Sequence, residues 1–197
     1  MRVSRFEGRR LAGTVGAIAA GLGGQSSDAA VIYTPVDIDI PADIADYSVD
    51  LNGDATSEFD IQQFEGLIKV ADIVAGNGVA LDGDFTANLA AGTLIDSSLT
   101  YGTPTNDGLT GTAGNFQVSD GPGFIGVEFL IGGNTHYGYV GYEGAGAEGS
   151  ANGHVYALAY DDAPNAAIAA GAVPEPSSLA LLAAGAAGLS LYRRRSA

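Results

Sequence analysis

Phe124-Ile125-Gly126-Val127-Glu128-Phe129-Leu130-Ile131, then Gly132-Gly133-Asn134, then Thr135-His136-Tyr137-Gly138-Tyr139-Val140-Gly141-Tyr142 is the stretch on which the fold is decided. Two runs rich in β-branched and aromatic residues flank a short glycine connection, and glycine supplies the positive φ angles that a tight hairpin needs. A third such run, His154 to Tyr160, follows Gly153, so the three read as an antiparallel meander. Upstream, Val31 to Tyr33, Val36 to Ile40, Tyr47 to Leu51, Phe59 to Gln62, Leu67 to Val70, Gly92 to Ile95 and Asn115 to Ser119 are further short β-type runs. Val36, Ile38 and Ile40 alternate with Asp37 and Asp39, which gives one apolar and one acidic face. Many short strands separated by Gly, Asn, Asp and Pro predict an all-β fold, a single β-sandwich or jelly-roll-like domain.

Both ends of the 197-residue chain read as addresses, leaving residues 30–172 as the part that must fold around one core. Arg2, Arg5, Arg9 and Arg10 precede the weakly apolar run Leu11 to Leu22 and then Ser27-Asp28-Ala29, the layout of a signal peptide over residues 1–29. The ordinary secretory route and a twin-arginine route through Arg9-Arg10 both stay open.

Between the ends, Lys69 is the one cation against 20 acidic residues. A nucleic-acid surface needs clustered Lys or Arg to displace condensed counterions, so that function class is excluded. The acidic field favours cationic, neutral or metal-bridged partners. With no cysteine there is no disulfide framework and no thiolate site. Thirty glycines beside plentiful aliphatic residues fit a turn-rich folded chain.

Asp50, Asn52, Asp54 and Glu58 occupy positions 1, 3, 5 and 9 of an acidic loop in which Gly53 eases the turn. Oxygen ligands at alternate positions can converge on a hard cation, so these four are the candidate metal ligands and structural calcium the candidate ion. Ala55 and Ile61 stand where an EF-hand would need Gly and Glu, so the loop is of another, shorter kind, with Asp60 as an extra ligand or an outward-facing side chain. Asp82 and Asp84 around Gly83, and Asp161-Asp162 before Pro164, read as surface turns. His136 and His154 fall on neighbouring expected strands, where they could face each other. Tyr137, Tyr139, Tyr142, Tyr156 and Tyr160 suit core and cross-strand packing, with a sugar-stacking face as the alternative. The chain has no Gly-x-Ser-x-Gly elbow, no His-Glu-x-x-His helix and no phosphate-cradling loop. Carboxylate pairs are too abundant to single out one for glycoside hydrolysis. The chain is therefore expected to be no enzyme.

At the C-terminus, Val173-Pro174-Glu175-Pro176-Ser177-Ser178 leads into an apolar stretch ending at Tyr192, followed by Arg193-Arg194-Arg195. The prolines make an extended, stiff segment that an enzyme could read in a groove. Ser177 to Tyr192 is 16 residues, about 24 Å as a helix and short of the roughly 30 Å of a bilayer core. A short transmembrane helix with three arginines behind it would leave those arginines cytoplasmic and place the acidic domain on the far side of the inner membrane.

In these residues the tail resembles the PEP-CTERM family, defined by a Pro-Glu-Pro motif, a short hydrophobic helix and a terminal Arg cluster. The resemblance implies an exosortase substrate: Pro174, Glu175 and Pro176 would be the recognition residues and Arg193, Arg194 and Arg195 the retention cluster, all within a sorting signal over residues 173–197. It also implies transient anchoring in the membrane, export, and delivery to the cell surface or an exopolysaccharide matrix. The segment from Gly123 to Ile168 resembles more loosely a region found upstream of such tails, which often carries Trp where Tyr139 stands and an Arg soon after. Neither is present here. The expected function is thus an exported, non-catalytic surface or matrix protein. The alternative is a calcium-dependent, lectin-like carbohydrate-binding module.

Overall fold

The Gly132-Gly133 hairpin lies within the main sheet of the computed structural model, which describes residues 30–41, 46–64, 66–105, 108–110 and 114–174. The proposed signal peptide, Glu175, Pro176, the apolar tail and Arg193 to Arg195 lie outside the described residues. In chain order the strands are β1 (Val31–Ile40), β2 (Asp46–Val49), β3 (Phe59–Phe64), β4 (Leu67–Ala71), β5 (Gly78–Asp82), β6 (Phe85–Thr86), β7 (Leu94–Ile95), β8 (Tyr101–Gly102), β9 (Gly123–Ile131), β10 (Asn134–Gly144), β11 (Gly153–Asp161) and β12 (Ile168–Ala169). The fold is all-β and its pairings are antiparallel.

Asn134 pairs with Ile131, so the β9–β10 connection is the two glycines alone. Their φ angles are +59° and +83°, the left-handed values that a twist-matched two-residue hairpin requires. β11 pairs with β10, completing the expected meander, and β1 returns from the start of the domain to pair with β11. The seven-stranded sheet runs β1-β11-β10-β9-β5-β6, with β8 also on β5. β2-β3-β4 and β12-β7 form two smaller sheets.

Alternation along the strands sends side chains to two apolar clusters. Ile125, Val127, Phe129, Val140, Tyr142, Val155 and Leu158 face one side, where Val49, Phe59, Ile61, Ile68 and Val70 of the three-stranded sheet join them. Tyr137, Tyr139, Ala157 and Ala159 face the other, where Ile95 and Ile168 cover them. Tyr156 is an extra residue in β11, because Gly141 pairs with Ala157 while Tyr142 pairs with Val155. This bulge lets Tyr156 and Ala157 share a face without disturbing the alternation on either side.

Val31–Tyr33 and Val36–Ile40 are one continuous strand, irregular between Pro35 and Ile38. Proline is tolerated there because β1 is an edge strand, and the exposed Asp37 and Asp39 put charge along the same edge. β2 stops at Val49, two residues earlier than expected, because Asp50 opens a loop. Asn115–Ser119 is not a strand. The Phe116 ring is fully buried, the Gln117 amide donates to Asp120 Oδ2 at 2.8 Å, and Val118–Asp120 form one 3₁₀ turn. Local capping there replaces a ladder.

Candidate functional site

The Asp50–Glu58 loop joins β2 to β3 and is closed at its base by the Glu58 amide, which donates to the Val49 carbonyl at 2.8 Å. Inside it the acidic side chains accept backbone amides: Gly53 N–H reaches Asp50 Oδ1 at 2.7 Å and Ala55 N–H reaches Asp50 Oδ2 at 2.9 Å. Asn52 Oδ1 accepts from the Asp54 amide at 2.9 Å and Asp54 Oδ1 from the Thr56 amide at 2.8 Å. Gly53 and Ala55 both take left-handed angles, φ +74° and +67°. For Ala55 this costs on the order of 1 kcal/mol.

Glu58 lies beneath the loop, 5% exposed, and its Oε2 accepts the Leu51 amide at 2.7 Å. Burial, reinforced by the charges of Asp50 and Asp54 and opposed by the backbone hydrogen bonds, raises its carboxyl to about 7. The fold therefore gathers Asp50, Asn52, Asp54 and Glu58 into one hairpin loop. Among the described residues, no three His, Cys, Asp or Glu side chains are arranged to hold a metal ion. Asp60 sits on the face of β3 opposite Phe59 and Ile61, with Oδ1 enclosed and without a hydrogen-bond partner among the described residues.

The two histidines do not face each other. Antiparallel register puts His136 against Phe129, where its Nδ1 meets the Asp161 carbonyl at 2.9 Å in a buried position. His154 pairs with Glu143 at the other end of the β10–β11 ladder. There it contacts Asp37 Oδ1 at 2.9 Å and Glu143 Oε1 at 3.3 Å. Partial burial works against its imidazolium, but the hydrogen bonds to Glu143 and Asp37 and the charges of Asp39 and Asp37 outweigh it and raise the pKa.

Tyr137, Tyr139 and Tyr142 are buried and Tyr156 and Tyr160 half-buried, in keeping with core packing. Hydroxyls that enter the core find acceptors, as when Tyr156 donates to the Gly123 carbonyl at 2.8 Å. Asp82 and Asp84 flank Gly83 in the β5–β6 turn as expected. A cleft of about 670 Å³ beside that turn is lined in part by Asp82, Asn88, Asn115, Gln117 and Asp120. No spacing in the sequence marks it, because three separate segments build it.

The exit of the chain is tightly held. Ile168 and Ala169 pair with Ile95 and Leu94, the Ala170 amide donates to the Thr93 carbonyl at 2.8 Å, and the Tyr139 hydroxyl donates to the Ala172 carbonyl at 2.6 Å. Val173 is 55% exposed and Pro174 is also exposed. Residues 172–196 match a family model described as the PEP-CTERM protein-sorting motif.

Residues 172–196 carry a PEP-CTERM sorting motif. The motif implies an exported protein, processed by an exosortase and sorted to the cell surface through a membrane-anchored C-terminus. It covers the tail and not the β domain. Comparison with curated proteins and with solved structures gives no match.

Proposed function

We propose that this protein is a non-catalytic component of the cell surface or extracellular matrix, a sandwich-like β domain delivered by its PEP-CTERM tail. The observation that carries this reading is the junction at Ala172–Pro174: Ala172, held by the Tyr139 hydroxyl, is the first residue of the matched sorting motif. Processing near Pro174-Glu175-Pro176 would release a domain whose own end is already secured. The acidic surface suits cationic or neutral matrix partners, or acidic polymers bridged by metal ions. Mass spectrometry of the protein recovered from cell-surface and matrix fractions tests the reading. The expected mature form lacks Arg193 to Arg195 and residues 1–29. An intact arginine tail in the mature protein would overturn it.

A second reading, a calcium-dependent carbohydrate-binding module, has one observation in its favour: the buried Glu58 carboxyl beneath the Asp50–Thr56 turn. Calcium held there would brace the β2–β3 hairpin. The five tyrosines of β10 and β11 support it less, because they lie in or beside the core. A thermal shift on adding calcium, reversed by a chelator, supports this reading. No shift removes it.

A further inference from the structure

The cleft beside the β5–β6 turn combines amide and carboxylate side chains with a small aliphatic surface. Its walls come from that turn, from the segment around Asn88 and Leu89 that bridges to Phe124, and from the Gly114–Pro122 segment with its 3₁₀ turn. At about 670 Å³ it falls within the range of small-molecule sites.

Each side-chain amide in the lining spends one N–H on the backbone. Asn88 Nδ2 donates to the Asn115 carbonyl at 2.7 Å, Asn115 Nδ2 to the Thr86 carbonyl at 2.9 Å, and Gln117 Nε2 to the Gly114 carbonyl at 3.4 Å. A carbonyl can only accept, so the nitrogen end of each amide must face it, each nitrogen keeps a second N–H, and the Gln117 oxygen in turn accepts the Asp120 amide. Asp120 uses Oδ2 to accept the Gln117 backbone amide, while Asp82, exposed at the end of β5, pairs through its backbone with Phe85 and keeps its carboxylate toward the cleft. The groups left for a ligand are thus of both kinds: the Asn88 and Asn115 amide oxygens, the Asp82 carboxylate and the second oxygen of Asp120 as acceptors, and the second N–H of each amide as a donor. Two of these bonds tie the Thr86–Asn88 segment to Asn115, so those side chains are positioned before any ligand arrives.

A cleft that offers both acceptors and amide donors takes a ligand whose groups both donate and accept, as hydroxyls do. Lys69, the one Lys or Arg among the described residues, is on β4 and not in the lining, so phosphates, sulfates and uronates meet only negative charge. No aromatic ring lines the cleft to cage an ammonium group. Leu89 and Pro122 instead offer aliphatic surface against which the C–H face of a sugar ring can lie while its hydroxyls reach the oxygens. We propose that this cleft binds a neutral, polyhydroxylated ligand, one or two sugar units of a neutral polysaccharide. It needs neither the Asp50 loop nor calcium, and it does not depend on where the protein is delivered.

The test is titration of the full-length protein, in the presence of a chelator, with a panel of neutral oligosaccharides that includes maltohexaose, cellohexaose and mannohexaose. Spermine and oligogalacturonate serve as cationic and anionic comparators, and binding is read by calorimetry. At least one neutral oligosaccharide is expected to bind saturably. Asp82→Ala should weaken it about tenfold, roughly what losing one hydrogen bond to a charged group gives, with the melting temperature unchanged. Gln117→Ala should weaken it by a similar factor, and Asp82→Asn serves if Asp82→Ala fails to fold. Saturable binding by spermine or oligogalacturonate alone would overturn the proposal. So would no saturable binding across the neutral panel, or neutral binding that neither Asp82 nor Gln117 substitution alters.

Discussion

The hydroxyl of Tyr139 donates to the backbone carbonyl of Ala172 at 2.6 Å, so a core residue of β10 holds the chain two residues before the first proline of the sorting motif. The Tyr139 ring is 1% exposed and packs edge-on against Phe124, their centroids 5.1 Å apart. The hold reaches the first residue of the matched motif. Tyr139→Phe keeps the ring and removes one hydrogen bond, which should cost about 1 kcal/mol. Hydrogen exchange at residues 168–172 should accelerate while the β9–β11 meander stays protected. Tyr139→Ala, which also leaves a cavity, should cost about 3–5 kcal/mol by denaturant unfolding.

Glu58 makes stability depend on pH in the direction opposite to a salt-bridged carboxylate. Its folded value of about 7 lies above the ordinary 4.5, so the folded state holds a proton that the unfolded chain releases. The contribution is fully present below pH 4.5, is lost as pH rises through 7, and is constant above. Unfolding free energy should fall by on the order of 2 kcal/mol between pH 5 and 8. Glu58→Gln, which retains an acceptor for the Leu51 amide, should flatten that slope. Calcium bound at the loop would favour the ionised carboxyl and flatten it too.

His154 is held between Asp37 of β1 and Glu143 of β10, with Asp39 nearby. Its raised pKa means that the imidazolium stabilises the fold below pH 6.5 and that this contribution disappears as pH rises through the raised value. NMR titration of the ring should place the midpoint above 6.5. Asp37→Asn and Glu143→Gln should each lower it, and the double substitution should lower it further.

Two glycines separate the cost of backbone conformation from that of space. A side chain at Gly153 would collide with the hydroxyl of the fully buried Tyr142, whose ring packs edge-on against Phe116 at 5.4 Å. Gly132 meets nothing, and its substitution only forces an L-residue to φ +59°. Gly153→Ala should therefore cost about 1–3 kcal/mol from overpacking and Gly132→Ala about 1 kcal/mol. Thermal melts of the pair should rank them in that order.

The β9–β10–β11 meander could be read from the chain because its signal is local: apolar runs, two glycines, and another run after Gly153. The alternation in Val36 to Ile40 was legible for the same reason, and the structure half-buries or buries Val36, Ile38 and Ile40 and exposes Asp37 and Asp39. β5, β6, β8 and β12 escaped notice. Three of them are two residues long, and β5 begins in Gly76-Asn77-Gly78, which reads as a turn. They are strands only because β9, β5 itself and β7 offer them partners. Asn115–Ser119 failed in the opposite sense, since Phe116 is apolar in order to fill the core and not to alternate in a sheet.

The sequence by itself determined the all-β class, the hairpin, the acidic loop from Asp50 to Glu58 and the sorting tail, because each is written in residues that are neighbours along the chain. Tertiary structure alone decided which groups distant in sequence meet. Antiparallel register separated His136 from His154, packing from both sides of the sheet drew the tyrosines into the core, and three segments closed around Asn88, Asn115 and Gln117 to make a cleft. Such meetings depend on strand pairing and on which face of the sheet a residue occupies. A one-residue change in register would reverse those faces without altering any local signal.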